Sequence, residues 1–566
     1  MDSIAQFLDQ ISTYIWGPYV LIPLLLGVGV ILMAGLRCMP LRRLPRAFVV
    51  MWQGRRHHPD HKGELSPFRA LMTSLAATIG TGNIVGVATA ILLGGPGAVF
   101  WMWVTALFGM ATKFCEATLA VHYREMTPDG KYVGGPMYYI KNGLGKNWKW
   151  LAALFAVFGM VASFGIGNMT QANAIAINAI SLGKDYDLLL EPAAIACLLL
   201  LLAGTVLIGG VKRIGAVSGT LVPIMAFIYV IGGLVILIVH ADKVGEAFFL
   251  ILDSAFSGHA AVGGFAGAAL AQAIRFGVAR GLFSNEAGLG SAPIAHATAI
   301  VKNPVKQGLL GMLDPFLDTI VICSISALVI LSSGEWKVGL DFQLGAENAN
   351  TVAVSAVLRG EAAPFDIKTP EGGLIVAKKT RFTAEHLQKM ENADIRVLTA
   401  PDEFILGRLV AREIVKDGKT LAETHHKIDA ELLKKLREAR VSELSTTYGA
   451  GALTARAFRN TLGAAGSWLV TVGLVFFAFS TILGWCVYGE RCAIYLFGHK
   501  AALPFRIFFT LIVPVGALAE LNLIWNLSDL FNSLMAIPNL IALLLLSPVV
   551  FKLAREFFDN PKAQDE

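Results

Sequence analysis

Long apolar runs, broken by short polar stretches, fill most of this chain. A helix that crosses a bilayer needs about 20 mostly apolar residues. Eleven stretches approach that length: roughly 17–36, 67–93, 97–121, 149–181, 190–209, 214–239, 262–299, 307–332, 465–488, 503–523 and 529–552. The seventh is long and interrupted. The first run, Tyr19 to Leu36, has no basic leader and no small-residue cleavage site after it, so it reads as a first span and not as a removable signal.

Basic residues between the runs predict orientation, because short cytoplasmic loops collect Lys and Arg. Arg37, Arg42, Arg43, Arg46, Arg55, Arg56 and Lys62 follow the first run. Alternation then places 124–149, 212–213, 302–306 and 491–506 on the same side, while 182–190 and 240–258 carry few basic residues. The expected arrangement has the N-terminus outside and the C-terminus in the cytoplasm.

The pattern changes between spans eight and nine. It predicts membrane segments over 1–339 and 461–566 and an extracytoplasmic insert over 340–460, with charged residues concentrated at about 360–445. The insert repeats itself: GGLIVAKKTRFTAEHLQKMENADIRVL (372–398) aligns without gaps with GKTLAETHHKIDAELLKKLREARVSEL (418–444). Each copy predicts a strand pair, a Thr or Asp helix cap, and a short amphipathic helix presenting Leu387 and Met390, or Leu433 and Leu436. A small α+β module results, either a structural or partner-docking appendage or a ligand sensor.

Composition agrees with lipid as the main solvent. The 566 residues are 55% hydrophobic and 16% charged, against about 25% charged in globular domains. The six cysteines are scattered without a CxxC pair, which argues against a zinc site or disulfide framework. The net charge of +6 arises mostly from loops and does not point to nucleic acid. No HExxH or GxSxG motif occurs, no pair of intramembrane aspartates is expected, and His425–His426 lack metal-ligand spacing, so an enzyme is disfavoured.

The chemistry is expected where spans break. Backbone polar groups inside a bilayer need partners, so a glycine-rich interruption is costly unless it lines a polar cavity. One break is Ala76-Ala77-Thr78-Ile79-Gly80-Thr81-Gly82-Asn83; the other is expected from Ile274 to Ser291, five spans later. Paired breaks of this kind point to a transporter built from inverted repeats. Unwound carbonyls suit a dehydrated cation, and amides at a half-helix N-terminus suit a carboxylate. Tight packing of small residues is the plainer explanation of each break. Lys113, Arg280 and Glu286 are candidate gate residues, as Arg280–Glu286 or Lys113–Glu286 pairs, unless they are simply solvated at the cytoplasmic mouth. Asn168, Gln171 and Asn173 of span four offer polar contacts to substrate or glue between helices. Ser480 and Thr481 offer oxygens to a cation or bond back to their own helix. Trp485 either walls a cavity or packs the core.

TSLAATIGTGNIVGVATAI (73–91), GGPGAVFWMWVTALFGMATKFCE (94–116), GGPMYYI (134–140), GNMTQANAIA (167–176), FGVARGLFSNEAGLGSAP (276–293) and FAFSTILGWCVYGER (477–491) resemble the alanine or glycine:cation symporter family over nearly the whole chain outside about 340–445. The resemblance implies an all-α membrane protein with a LeuT-like bundle of 5+5 inverted repeats and one extra N-terminal helix, in a bacterial inner membrane. It implies import of alanine or glycine with sodium and no organic cofactor; a proton-coupled symporter and a membrane amino-acid sensor are the alternatives. Thr78, Ile79, Gly80, Thr81 and Gly82 would meet the substrate carboxylate, and Gln171, Ile274, Gly277 and Trp485 would complete the pocket. The carbonyls of Ala76 and Ile79, with Ser480 and Thr481, would hold sodium. The insert is the departure from the family pattern.

Overall fold

The computed structural model describes residues 19–55, 64–185, 188–256, 266–337, 426–447, 449–519 and 522–560 throughout, together with residues 11, 14 and 15 and parts of 340–422. Two compact units result: Met1–Val329 with Ala464–Glu566, and Ile330–Gly463.

Helices stand at all eleven apolar runs. In chain order they are α1 (Leu21–Gly35), the bent pair α2 (Pro67–Thr78) and α3 (Gly82–Gly94), α4 (Ala98–His122), α5 (Lys146–Ile180), α6 (Pro192–Leu207), α7 (Gly210–Val239), α8 (Ala266–Asn285) followed by α9 (Ala292–His296), and α10 (Pro304–Ser333). After the insert, which holds α11 (Ala430–Glu438), come α12 (Ala464–Phe497), α13 (His499–Leu518) and α14 (Leu527–Asp559). Among the described residues seven helices are long and apolar enough to cross a membrane, and the bent pair makes an eighth. α7 shows the expected lipid-facing character: Phe227, Ile228 and Ile238 are exposed large apolar side chains.

Small residues let the inner helices touch. A Cβ on Gly277 of α8 would lie 2.3 Å from the Ala98 carbonyl, and one on Gly281 would lie 2.2 Å from Thr105 Oγ1, so both glycines seat α8 against α4. Gly308 and Gly311 do the same for α10 on the other part of α4, against Thr118 and the Lys113 carbonyl. Without a hydrophobic drive between helices in lipid, such close approach supplies the packing energy.

The second unit is α+β. A five-stranded antiparallel sheet runs in the order β5-β2-β1-β9-β6, with β1 at Leu340–Gln343, β2 at Asn350–Ala353, β5 at Val397–Ala400, β6 at Leu409–Val410 and β9 at Glu443–Thr447. Two hairpins accompany it: β3 (Ile367–Lys368) with β4 (Leu374–Val376), and β7 (Ile414–Lys416) with β8 (Lys419–Ala422). Among the described residues each copy holds one strand of its hairpin ahead of the helix, β4 or β8, and the partner strand precedes the copy, so the strand pair expected within each copy is not found there; β8 leads toward α11, capped by Asp429, whose carboxylate accepts the Leu432 amide at 2.7 Å. Leu433 and Leu436 of α11 are buried. In the first copy Met390 is buried as expected, whereas Thr383 and Leu387 lie outside the described residues. Arg437 of α11 forks onto Asp402 at 2.8 and 2.5 Å, which pins the helix to the loop after β5.

Candidate functional site: a small cavity between two interrupted helices

α2 stops at Thr78 because its cap residue, Ile79, is extended (φ −73°, ψ 96°). Ile79 and Gly80 are unwound, and α3 leaves at 53° to α2. Two groups hold the gap. Asn83 Oδ1 accepts the Gly80 amide at 2.9 Å, satisfying a donor that the break has freed. Gly80 also has no room for a side chain: a Cβ there would sit 2.7 Å from Thr481 Oγ1 of α12.

The second break is confined to the end of the expected stretch. α8 is continuous through Ile274 and Gly277 to Asn285, and the chain unwinds only over 286–291 before α9. The glycines of 277 and 281 serve helix contact, while the turn takes positive φ at Glu286 (53°), Gly288 (90°) and Gly290 (85°). Glycine adopts those angles freely; Glu286 adopts one at a cost that its fixed side chain must offset.

The two breaks meet at a cavity of about 20 Å³. Thr78, Gly80, Thr81, Gly82, Gln171 and Trp485 line it, as the sequence suggested. Thr481 and Glu286 line it too, with Ala77, Ile166, Phe283 and Asn532, which sequence reasoning did not single out. Ile274 and Gly277 do not reach it, nor does Ile79, whose side chain is buried beside the break. Of the polar trio on α5, Asn168 donates to the Phe509 carbonyl and Asn173 to the Ala519 carbonyl, which is interhelical glue. Gln171 donates to the Ile166 carbonyl and keeps its Oε1 without a hydrogen-bond partner.

Glu286 is only 5% exposed, and both carboxylate oxygens are engaged. Ser291 donates to Oε2 at 2.5 Å, and the Trp485 indole donates to Oε1 at 3.2 Å. Trp485 is therefore a wall of the cavity as well as core, and it fits because Gly167 leaves space: a Cβ there would lie 2.3 Å from Trp485 Cβ. Glu286 forms an ion pair with neither proposed gate partner. Lys113 pairs with Asp314 at 3.7 Å. Arg280 lies over the Phe283 ring, at 5.8 Å, and its charge is felt by Asp529 of α14.

The expected cation oxygens divide. Ser480 and Thr481 both bond back to the Phe477 carbonyl, at 2.8 and 2.9 Å. Thr481 nevertheless faces the break, whereas Ser480 is turned toward Met225 of α7. Ala76 is fully buried in α2, in the turn before the break.

A richer oxygen cluster adjoins both breaks, and the sequence reading passed over it. It also overturns the expectation that spans hold no aspartate pair: Asp314 and Asp318 stand four residues apart in α10, fully buried. They face different partners, so they are not a catalytic dyad. Asp318 accepts from Asn83 Nδ2 at 2.6 Å, Ser284 Oγ at 2.7 Å and Thr319 Oγ1 at 2.8 Å. Asn285 donates to Thr319 Oγ1 at 3.2 Å. Here α10 widens into a π-helical stretch, Phe316–Cys323, which brings Asp318 to meet residues from either break. The only hint in the sequence is an acid inside an apolar run.

The family model described as the sodium:alanine symporter family matches residues 1–365 and 437–566. The chain belongs to that family. It is 40% identical over 561 residues to the sodium/alanine symporter AgcS of Methanococcus maripaludis, covering 98% of each chain. It is 40% identical over 561 residues to an uncharacterized transporter of Haemophilus influenzae, covering 99% of this chain and 97% of that one. It is 30% identical over 564 residues to the probable sodium/glutamine symporter GlnT of Bacillus subtilis, covering 100% of this chain and 93% of that one. A multi-pass, cation-coupled amino-acid symporter is thus the class, and the two sequence segments that the family model matches leave 366–436 of the insert aside. In such a symporter the broken helices, the Glu286–Trp485 wall and the Asp318 cluster are the groups from which substrate and ion sites can be built.

Proposed function

We propose that this symporter imports alanine or glycine together with sodium by alternating access. The observation that carries the reading is the convergence of two helix breaks on one small cavity, beside a buried carboxylate held by two hydroxyls and an amide. The amides at the start of α3, from Thr81 and Gly82, lie at the positive end of a half-helix and suit the substrate carboxylate. Gln171, with a spare oxygen, and Glu286, with its negative charge, suit the ammonium group. Sodium is cargo in this reading. Asp318, Ser284 and Thr319 make a hard-oxygen donor set suited to it; Thr481 with the carbonyls of Ala76 and Ile79 makes a second.

The cavity of about 20 Å³ is of the order of one water and smaller than alanine. Trp485, Gln171 and Phe283 must give way for substrate to fit. The five-span interval between the breaks supports a 5+5 inverted repeat behind one extra helix, α1, in the LeuT manner. Basic residues after α1 and between later helices support an outside N-terminus and a cytoplasmic C-terminus in a bacterial inner membrane.

The test is uptake of labelled alanine and glycine into proteoliposomes. An inward sodium gradient should drive accumulation, and replacing sodium with choline should abolish it. Equal uptake in both salts would overturn the sodium assignment.

A further inference from the structure

The cavity between the breaks is lined by two acceptors with nothing to accept from. The Thr78 hydroxyl bonds back to the carbonyls of Ser74 and Leu75, Thr481 bonds back to Phe477, and both Glu286 oxygens are engaged. Gln171 Oε1 and Asn532 Oδ1, by contrast, are buried oxygens without a hydrogen-bond partner. Their residues are 4% and 2% exposed and both line the cavity. Burying a carbonyl oxygen unpaired costs free energy, so an idle acceptor at a cavity points to a donor that a ligand brings.

Packing of α14 places Asn532 there. The same helix carries Asn539 two turns later, and that carboxamide is used at both ends: it donates to Glu116 and to the Gly288 carbonyl and accepts from Tyr139. Asn539 ties helices together; the oxygen of Asn532 ties nothing. Gly165 opens the π-helical stretch Gly165–Met169 of α5 and lies directly against Ser528, one turn before Asn532 on α14, with no room for a Cβ between them. That contact brings Ile166 of α5 and Asn532 of α14 to the cavity together.

The division of the lining residues says which part of a substrate meets Asn532. On the transport reading the start of α3 takes the carboxylate, and Gln171 with Glu286 takes the ammonium group. Trp485, Phe283, Ile166 and Asn532 are left for the side chain. The indole N–H of Trp485 is spent on Glu286, so among the described residues Asn532 Oδ1 is the idle polar atom of an otherwise apolar wall. Glycine and alanine bring no side-chain donor, but they are small enough to leave a water beside Asn532, and water can donate to it. An ethyl side chain displaces that water and gives nothing back. A hydroxymethyl side chain displaces it and donates in its place. The two groups are nearly equal in size, so an apolar wall barely separates them, whereas a fixed acceptor does.

We propose that Asn532 reads the substrate side chain, and that the symporter therefore takes serine, a small amino acid with a hydroxyl on its β-carbon, as a further substrate. This rests on the transport reading. The test uses the full chain in proteoliposomes under an inward sodium gradient. Labelled alanine uptake is competed with serine and with α-aminobutyrate, which carries a methyl where serine has its hydroxyl, and labelled serine uptake is followed directly. In the wild type serine should accumulate, and it should compete at least about tenfold more strongly than α-aminobutyrate. Asn532→Leu removes the acceptor and should bring that ratio to about one or below. A loss of folded protein or of turnover does not move the ratio, because both competitors are read against the same alanine uptake. A wild-type ratio near unity overturns the proposal, as does serine that competes without accumulating, or a ratio that stays high in the variant. Alanine accumulation with a flat ratio sinks this inference alone, whereas vesicles that take up no alanine sink the transport reading with it. Should Asn532→Leu fail to insert, Asn532→Ala removes the same oxygen and decides by the same ratio.

Discussion

A carboxylate sealed from water with three donors aimed at it, as Asp318 is, either stays a static knot or trades its donors for an ion. Asp318→Asn separates the two. The amide keeps the volume and removes the charge, so the sodium concentration for half-maximal uptake should rise at least about tenfold, equivalent to about 1.4 kcal/mol. An unchanged sodium dependence would leave Asp318 structural. Trp485 poses a question of size. A substrate carboxylate held by backbone cannot tell one amino acid from another, so discrimination falls to the walls, where each methylene is worth about 1–3 kcal/mol. Trp485→Ala opens the wall and frees a Glu286 oxygen. Labelled alanine uptake should weaken, and valine, leucine or serine should compete better than against the wild type. A competition series in unchanged order would assign the indole to packing alone. At this scale the sequence was informative about the first break and poor about the second. A GTGN run inside a span has few structural uses. A glycine such as Gly277, by contrast, has the same composition whether it opens a helix or lets two helices touch, and only its contact with Ala98 decides. Asp318 was overlooked because its partners on α3 and α8 are 235 and 34 residues away.

Element by element, the site is shaped by irregular helix. Three π-helical stretches gather at or near it: Gly82–Gly86 opening α3, Gly165–Met169 within α5, and Phe316–Cys323 within α10. Each widens the turn and re-aims side chains without ending the helix, a feature frequent at functional sites. Periodicity reports that a run is helical and about how long, which is why spans were legible; an extra residue in one turn leaves almost no trace in it. The second break is held from outside. Asn539 of α14 donates to Glu116 at 2.6 Å and to the Gly288 carbonyl at 2.8 Å, and it accepts from Tyr139. Asn539→Leu takes a donor from the Glu116 carboxylate and the Gly288 carbonyl and an acceptor from the Tyr139 hydroxyl, a loss of about 1–3 kcal/mol for each buried group left unpaired. Detergent-solubilised protein should melt at lower temperature, with alanine uptake reduced even when the protein inserts normally. An unshifted melting curve would show that water replaces the amide.

For the molecule as a whole, the two units differ in what they need. The helical unit carries both breaks and the oxygen cluster, while the insert has its own buried core around Phe342, Val410 and Leu436. Its soluble composition and repeat were plain from the sequence, but its boundary strands were not, because β1 lies outside the repeat and β9 only begins in its last two residues. Those strands, β1 and β9, pair directly, with Gln343 opposite Glu443 and Leu340 opposite Thr446. Replacing 344–442 with a short Gly/Ser turn should therefore close a hairpin and leave sodium-driven uptake within about twofold of wild type, a change of less than 1 kcal/mol. Normal insertion with no uptake would make the insert part of the transport machinery. The pairing has one more consequence. Neighbouring strands run about 5 Å apart, so whatever fills the gap enters and leaves at nearly the same point. A foreign domain whose own termini lie side by side can occupy that gap without prying the flanking helices apart. A fluorescent protein grafted between 343 and 443 would then report which side of the membrane this loop faces, through quenching by an impermeant agent added outside.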